Sequence, residues 1–398
     1  MQNQNILEIQ DLVLRFYTYE GVVKALEKVN LSMKVGETLG IVGETGCGKS
    51  MTGFSTLVLT PSPGKIISGR ILFKNERGTQ DILSHNEATL RTIRGKDISM
   101  IFQEPRSALN PLFTVEEQIA EVIIHHRKAE FIRNTLETIE KDIEKLSSEA
   151  KIIRLQQRFK MAIYRFQRMT YRIMLKNHNS VRLRILSKIP LIWRFHNKLR
   201  LEIRKEIISI LKEMKIPDPE RIIKMYPHEL SGGMQQRVVI AMGLVCNPKI
   251  MICDEPTTNL DVTIEAQILQ LIRELKRKFN SSIIYITHDM GVVAEMCDRV
   301  CVMYAGNVVE ITDVFELFKN PLHPYTKALL ESIPKPGEDF KSIKGIVPNL
   351  ITPPSGCRFH PRCSNASPKC SEEIPTTVVF KEHVVSCHLY SNQKENLN

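Results

Sequence analysis

The chain has 398 residues, of which 42% are hydrophobic and 25% are charged, and its formal net charge is +11. This composition excludes an intrinsically disordered chain and leaves room for two to three globular domains. No apolar run approaches the roughly 18 residues that a membrane-spanning helix needs. The start, Met-Gln-Asn-Gln-Asn, has neither the basic nor the apolar segment of a secretory signal, so we expect a protein that stays in the cytosol.

Alternating apolar residues in the first forty positions predict strands. A buried strand is expected at Thr38–Val42, and further strands at Ile98–Phe102, Ile250–Cys253 and Ser282–Thr287, each separated from the next by helical patterns. A hairpin is expected around Ala305-Gly306. This alternation predicts an α/β fold with a mainly parallel sheet and helices on its faces.

Directly after the first buried strand the chain reads Gly-Glu-Thr-Gly-Cys-Gly-Lys-Ser, a complete phosphate-binding loop. Its glycines allow bare N–H groups to surround phosphate oxygens at the start of the next helix. Lys49 would reach the β- and γ-phosphates of a nucleotide, and the hydroxyl of Ser50 would bind Mg²⁺. The predicted nucleotide-binding residues are Gly43, Glu44, Thr45, Gly46, Cys47, Gly48, Lys49, Ser50 and Met51.

Polar side chains follow three more of the predicted strands. Asp254 and Glu255 end an apolar run, where Asp254 can hold Mg²⁺ and Glu255 can act as the general base on the attacking water. Gln103 can bind Mg²⁺ and orient water, and His288 can contact the γ-phosphate. Because open α/β sheets place ligands at the carboxyl ends of their strands, these residues form the predicted catalytic site.

A second anion-binding surface is predicted at Leu230-Ser231-Gly232-Gly233-Met234. Ser231 has the position of an N-cap, and Gly232 and Gly233 begin the helix behind it. A helix N-terminus attracts phosphate. The chain would then have two phosphate-binding surfaces and one pair of carboxylates, which indicates a site shared between two subunits, with each nucleotide held by one phosphate loop and the partner's Ser231 helix.

The order of these motifs resembles that of ABC-type ATPase domains over nearly all of the chain outside a basic insertion. The resemblance implies ATP and Mg²⁺ as ligands and carries further nucleotide-site roles onto Gln235 and Asp261. The chain departs from the family at Asn259, where alanine is usual. For the aromatic residue that stacks on adenine the candidates are Tyr19, Tyr17 and Phe16, with Tyr19 preferred because Gly21 follows closely.

Longer strings are similar to the ATP-binding subunits of oligopeptide and dipeptide importers. The segment Asn320–Pro334, which contains His-Pro-Tyr-Thr-Lys, is the most specific of them. The resemblance implies a paralogous ATPase partner, two permease subunits, an extracellular peptide-binding protein and a place at the cytoplasmic face of the membrane. Import of dipeptides or nickel is the nearest alternative. A nucleic-acid maintenance ATPase is a rival from another class, which the short insertion and the His-Pro-Tyr-Thr string disfavour.

The expected domains are an ATPase core split between residues 1–110 and 207–320, a helical subdomain at 111–235 and an irregular C-terminal extension at 321–398. The helical subdomain includes a basic insertion at about 135–205. Residues 151–205 contain sixteen Lys or Arg and one acid, so that the rest of the chain is net acidic.

An apolar stripe at helical spacing predicts that the basic insertion forms helices. It is formed by Leu155, Phe159, Ile163, Phe166, Met169 and Ile173. Three interpretations remain for its charge: a solvated helical hairpin, a surface for anionic lipid, or a nucleic-acid surface. Of the two binding interpretations we expect the lipid one.

Five of the nine cysteines are scattered and are expected to be buried reduced residues, whereas Cys357, Cys363, Cys370 and Cys387 cluster near the C-terminus. Their spacing matches neither a zinc ribbon nor a ferredoxin pattern. The resemblance to peptide importers implies a [4Fe–4S] cluster on these four thiols, with zinc or no metal as alternatives, and His360, His383 or His388 could replace a thiolate in a zinc site.

Overall fold

A computed structural model describes residues 5–76, 78–148, 155–176, 197–334 and 342–391. The chain forms two compact units, residues 1–104 with 247–398 and residues 105–246. In the described residues no helix has both the length and the apolarity required to cross a bilayer.

The first unit contains two sheets, of four and eight strands. The four-stranded antiparallel sheet has the order β2-β1-β4-β5, and the eight-stranded sheet has the order β11-β12-β10-β9-β3-β8-β7-β6. The strands are β1 Asn5–Thr18, β2 Gly21–Lys34, β3 Thr38–Val42, β4 Gly64–Asn75, β5 Gly78–Asp81, β6 Ile98–Ile101, β7 Ile250–Asp254, β8 Ser282–Ile286, β9 Arg299–Tyr304, β10 Asn307–Asp313, β11 Thr377–Phe380 and β12 His383–Ser386.

The centre of the larger sheet is parallel and positions the site. Strand β3 pairs with β8 and β9, and β7 pairs with β6 and β8, all in parallel. In this register Ile286 is the partner of both Ile41 and Asp254. The carboxyl ends of β3, β6, β7 and β8 therefore lie along one edge of the sheet. Every residue of β3, β7 and β8 is buried, as the apolar runs predict.

The C-terminal strands are antiparallel and extend the sheet beyond its parallel centre. Strand β10 pairs with β9 through the turn at Ala305 and Gly306, whose φ angles are 46° and 83°. Strand β12 then pairs with β10, and β11 with β12. The C-terminal region is thus more regular than its proline content suggests, because it completes the sheet with a hairpin of its own.

The helices of the first unit begin and end at recognisable caps. The carboxylate of Asp261 accepts a hydrogen bond from the N–H of Ile264 and begins the long helix α10, which ends at left-handed Asn280. The helices are α1 Lys49–Thr56, α2 Glu87–Ile93, α10 Val262–Phe279, α11 Met290–Met296, α12 Val314–Lys319, α13 Pro324–Glu331 and α14 Pro368–Glu372.

The second unit is helical. Helix α4 begins with a capping box, in which Thr114 and Glu117 satisfy each other's backbone N–H groups. Its helices are α3 Pro105–Ala108, α4 Val115–His126, α5 Lys128–Ser148, α6 Leu155–Lys176, α7 Asn197–Glu213, α8 Pro219–Ile222 and α9 Gly232–Leu244.

The helical prediction for the basic insertion agrees with α6, and the residues that α6 buries most deeply lie outside the apolar stripe. Gln167, Thr170 and Tyr171 are buried, whereas Met169 is 52% exposed. Tyr171 packs in a core with residues of α5, Ile132, Leu136 and Ile139. Arg154, Trp193 and the rest of 149–154 and 177–196 lie outside the described residues.

Candidate active site

The phosphate loop follows β3 and leads into α1. Gly43 and Gly48 have φ angles of 151° and 102°, which residues with a Cβ rarely adopt. A Cβ on Gly43 would lie 2.2 Å from the carbonyl oxygen of Met303, so space as well as backbone angle requires glycine there. The tips of the loop, Thr45 and Gly46, are exposed. The loop can therefore offer bare N–H groups to a polyanion at the start of α1.

The amino group of Lys49 is held at the loop. It donates hydrogen bonds to the carbonyl oxygens of Gly43, at 2.7 Å, and of Glu44, at 3.2 Å, and its side chain is buried. These neutral acceptors hold the cation in place without neutralising it. Lys49 is thereby positioned to bind phosphate oxygens.

Ser50, in the first turn of α1, and Asp254, at the end of β7, come together. The hydroxyl of Ser50 donates to Oδ1 of Asp254 at 2.9 Å, and Asp254 is almost fully buried. Burial raises the pKa of Asp254, the hydrogen bond from Ser50 opposes this rise, and the nearby charge of Glu255 adds to it. A hydroxyl and a carboxylate oxygen fit the hard-oxygen preference of Mg²⁺. Bound there, Mg²⁺ would supply a positive charge beside the phosphates.

Glu255 is the centre of a hydrogen-bonded group. Its Oε2 accepts from the amide of Gln103 at 2.9 Å and from the hydroxyl of Thr258 at 3.1 Å, and its Oε1 lies 2.9 Å from Nδ1 of His288. Glu255 itself has a φ of 46° directly after β7. The parallel register of β6, β7 and β8 thus brings Gln103 and His288 into contact with the carboxylate of Glu255.

This arrangement can activate water for attack on a phosphate. A carboxylate fixed at both oxygens can accept a proton from water, and Gln103 and His288 restrict its orientation. Lys49 and the loop N–H groups would stabilise the negative charge on the phosphate oxygens. The chain's own residues thus supply two functions. Glu255 deprotonates the attacking water, and the loop stabilises the negative charge on the phosphate oxygens.

The turn after Glu255 suits the asparagine at position 259. Asn259 has a φ of 65°, a left-handed conformation that asparagine adopts more readily than most residues. It precedes Asp261, whose carboxylate caps α10. The side chain of Asp261 is therefore bonded to its own helix. Tyr19 lies at the turn between β1 and β2 and is fully exposed.

In the second unit, the serine–glycine motif has the predicted helix-start geometry. The hydroxyl of Ser231 accepts from the N–H of Met234 at 3.4 Å, and Ser231 and Gly232 are exposed. Gly233 lies beside them in the first turn. Gln235, in contrast, is buried, and its amide donates to the carbonyl oxygen of Pro227 at 2.7 Å. Gln235 thus orders the turn that precedes the helix.

The nine cysteines are free thiols. Of the five scattered cysteines, Cys47, Cys253, Cys297 and Cys301 are buried as predicted, whereas Cys246 is only half-buried. In the C-terminal region, burial raises the pKa of Cys357, of Cys363 and, to about 11, of Cys387, and the charges of the neighbouring thiols add to the rise. The N–H of Cys357 donates to the carbonyl oxygen of Cys370 at 2.8 Å, so these two residues are neighbours. In the described part of the chain, no group of three or more His, Cys, Asp or Glu side chains has the arrangement of a metal site.

Three residues around the site were missed by the sequence reasoning. Thr258 follows the paired carboxylates and contacts Glu255. The hydroxyl of Tyr325 accepts from the N–H of Glu44 at 2.9 Å, and the guanidinium of Arg362 binds the Glu44 carboxylate. The His-Pro-Tyr string that contains Tyr325 was a signal for its importance, although nothing in the string indicated contact with the phosphate loop.

A phosphate loop at the end of a central parallel strand, with a Ser–Asp pair and a fixed glutamate beside it, defines a P-loop ATPase. Comparison with known families is more specific. The pattern described as "ABC transporter" matches residues 26–258, and "Oligopeptide/dipeptide transporter, C-terminal region" matches residues 309–370. The chain belongs to the ABC transporter family, as an ATP-hydrolysing member.

Curated relatives match over nearly the whole chain. The dipeptide transport ATP-binding protein DppD of Bacillus subtilis is 39% identical, over 99% of this chain and 97% of its own length. The oligopeptide transport ATP-binding protein OppD of Salmonella typhimurium is 38% identical, over 96% of this chain and 93% of its own length.

Among solved structures, a dimeric ATP-binding cassette in a post-hydrolysis state with ADP and Pi matches 77% of this chain and 98% of its own, at a TM-score of 0.51 and 22% identity. This likeness supports the fold assignment.

Proposed function

We propose that this chain is the ATP-hydrolysing subunit that energises a membrane importer of oligopeptides. One observation carries the proposal: the ABC ATPase region and the C-terminal region typical of oligopeptide and dipeptide transporters occur in one chain. Relatives of the same length are named as dipeptide or oligopeptide transport ATP-binding proteins.

The C-terminal region supports the proposal because it belongs to the ATPase unit. Strand β12 pairs with β10 of the central sheet, and buried Glu310 on β10 accepts hydrogen bonds from the N–H groups of Leu322 and His323. The region that distinguishes peptide transporters is therefore built into the nucleotide-binding unit.

The proposed assembly contains a paralogous ATPase subunit, two permease subunits and an extracellular peptide-binding protein, with this chain at the cytoplasmic face of the membrane. Two ATPase subunits would enclose ATP between the phosphate loop of one and the Ser231–Gly233 helix start of the other. Opening and closing of this pair would drive the permease between its two orientations.

The shared site has its own test. Ser231→Arg places a bulky cation at an exposed helix start, so ATP binding to the purified full chain should be unchanged while ATP turnover in the assembled pair is lost. Ser84→Arg, at another exposed serine, is the control. Full turnover by Ser231→Arg would contradict the shared site.

Substrate class is tested by uptake. Membrane vesicles that contain the complete importer are given labelled oligopeptide, dipeptide or Ni²⁺, with wild-type chain, Lys49→Ala or the surface variant Lys278→Ala. We expect oligopeptide uptake to be lost with Lys49→Ala and kept with Lys278→Ala. If Lys49→Ala abolishes only dipeptide uptake, the chain energises a dipeptide importer. If it abolishes only Ni²⁺ uptake, the chain energises a nickel importer. Unchanged uptake of all three, with nucleic-acid-stimulated ATP turnover, would favour the rival maintenance ATPase.

For the basic insertion we propose contact with anionic lipid headgroups. In the described part of α6, Arg158, Lys160 and Arg165 are exposed, while Arg172 pairs with Glu140 at 2.8 Å. Basic residues near an anionic membrane contribute about 1 kcal/mol each. Deletion of residues 151–205 should weaken co-sedimentation with anionic vesicles. Equal binding with and without the segment would remove this proposal.

For the four C-terminal cysteines we propose a [4Fe–4S] cluster, with zinc as the alternative. Four neighbouring thiols in one region are the donor set that such a cluster takes, although their described arrangement is not that of a formed metal site. Anaerobic purification should give a brown protein, and Cys363→Ser should remove the colour. A colourless, zinc-containing protein would rule the cluster out.

A further inference from the structure

The guanidinium of Arg362 forms an ion pair with Glu44 of the phosphate loop. Its Nη1 lies 2.6 Å from Oε2 of Glu44 and its Nη2 lies 3.0 Å from Oε1, a two-pronged ion pair between residues far apart in sequence. Only 5% of the Arg362 side chain is exposed. Paired, planar and shielded contacts of this kind are the strong class of ion pair, in contrast to isolated surface pairs.

Contacts with residues outside the phosphate loop also hold the Arg362 guanidinium in place. Nε of Arg362 donates to the carbonyl oxygen of Lys344 at 2.8 Å, and Nη1 also donates to the hydroxyl of Tyr304 at 3.2 Å. The guanidinium carbon lies 5.7 Å from the centre of the Tyr304 ring. Arg362 is therefore held by the surrounding C-terminal segment and by β9.

Glu44 is held at three of its groups. Its carboxylate is bound by Arg362, its N–H donates to the hydroxyl of buried Tyr325, and its carbonyl oxygen accepts from the amino group of Lys49. Tyr325 packs against Tyr304, with ring centres 4.6 Å apart, and against Phe359. The conformation of Glu44 thus depends on the C-terminal segment, and the position of Lys49 depends in part on Glu44.

A second arginine of the same segment, Arg358, supports the phosphate loop indirectly, through the β9–β10 turn. Arg358 donates to the carbonyl oxygen of Ala305 in the β9–β10 turn and pairs with Glu27 at 3.2 Å. The next residue of that turn, Gly306, donates its N–H to the carbonyl oxygen of Cys47 at 2.9 Å. The segment between Cys357 and Cys363 therefore supports the phosphate loop at Glu44 directly and at Cys47 through one turn.

From this geometry we infer that Arg362 is a positioning residue for ATP: it fixes the phosphate loop through Glu44 and neutralises the Glu44 carboxylate beside the phosphate-binding N–H groups. An ordered loop loses less conformational entropy when it binds its ligand. An unpaired carboxylate at this place would repel the phosphates. The C-terminal region thereby contributes to nucleotide affinity without touching the nucleotide.

This inference rests on nucleotide binding by the loop, which belongs to the proposed function, but not on peptide import. The test measures binding of a fluorescent ATP analogue with Mg²⁺ to the full-length chain. The variants are Arg362→Gln, Glu44→Gln and the double variant, with Arg273→Gln as control. Arg273, on α10, makes an ion pair with Glu295 of α11 at 2.6 Å, outside the loop.

We expect Arg362→Gln to raise the Kd by about ten-fold and to leave kcat at saturating ATP nearly unchanged. The double variant should bind more tightly than Arg362→Gln by about three-fold, because it removes the unpaired carboxylate; such recovery measures coupling between neighbours. Arg273→Gln should bind like the wild type. A purely structural role would lower the unfolding midpoint and give no recovery in the double variant.

Arg362→Gln with a Kd within two-fold of the wild type would overturn the inference, and so would a double variant that binds more weakly than Arg362→Gln. If Arg362→Gln does not fold, Arg362→Lys keeps the charge and loses the paired geometry; it should raise the Kd by a few-fold, and an unchanged Kd would overturn the inference. Failure of the wild type to bind the analogue would instead contradict the proposed function.

Discussion

Nδ1 of His288 lies 2.9 Å from Oε1 of Glu255, so the residue that follows β8 contacts the carboxylate that follows β7. The other carboxylate oxygen accepts from Gln103, which follows β6. The three side chains meet because their strands are parallel neighbours. The pairing of these strands therefore fixes the orientation of the Glu255 side chain.

His288→Ala removes one of these contacts and leaves Gln103 and Thr258 in place. Because a small misplacement of a catalytic group costs on the order of 10²-fold in rate, kcat for ATP hydrolysis should fall by up to about that factor. The KM for ATP should change much less. Steady-state kinetics with His85→Ala as control would check this, and a wild-type kcat in His288→Ala would show that the ring does not position Glu255.

Ser50→Ala should change the Mg²⁺ dependence of the enzyme. The hydroxyl of Ser50 lies 2.9 Å from Asp254, and removal of this predicted oxygen ligand should raise the Mg²⁺ concentration for half-maximal turnover by about ten-fold. Titration of ATP turnover with Mg²⁺ measures this directly. Ser84→Ala is the matched control, and the same Mg²⁺ requirement in Ser50→Ala would remove Ser50 from the site.

Stability should depend on pH through His323. Burial lowers the pKa of His323 to about 4, and its Nδ1 accepts from the N–H of Tyr325 at 3.0 Å. Between this value and the ordinary 6.5, the unfolded chain binds a proton that the folded chain does not. The free energy of unfolding therefore falls as the pH falls through this range, by about 2 kcal/mol between pH 7 and pH 5.

His323→Asn keeps an acceptor for Tyr325 and removes the titration. Denaturant unfolding of the wild type and of His323→Asn at pH 7 and pH 5 should show a smaller loss of stability in the variant. His228→Asn, at an exposed histidine, should keep the wild-type loss. Equal losses in the wild type and His323→Asn would mean that His323 is protonated in the folded protein.

Local patterns were sufficient for the parallel centre of the sheet, the β9–β10 hairpin and the order of the motifs, but not for β4, β5, β11 or β12. Thr38–Val42 is a buried run next to a glycine-rich turn, and its predicted bounds agree with β3. The apolar stripe predicted the helix α6 but gave no indication that Tyr171, and not Met169, is its buried residue. The ion pair of Arg362 with Glu44 gives no sequence signal, since neither periodicity nor spacing relates residues that meet only through the completed sheet.

Glu255→Gln tests the central claim that this chain hydrolyses ATP with Glu255 as the general base. The amide keeps the size of the side chain and cannot accept the proton, so ATP turnover of the assembled pair should fall by ~10²–10⁴-fold. The Kd for ATP should stay at the wild-type value, and Glu274→Gln, on the surface of α10, should turn over ATP normally. A wild-type rate in Glu255→Gln would contradict the account.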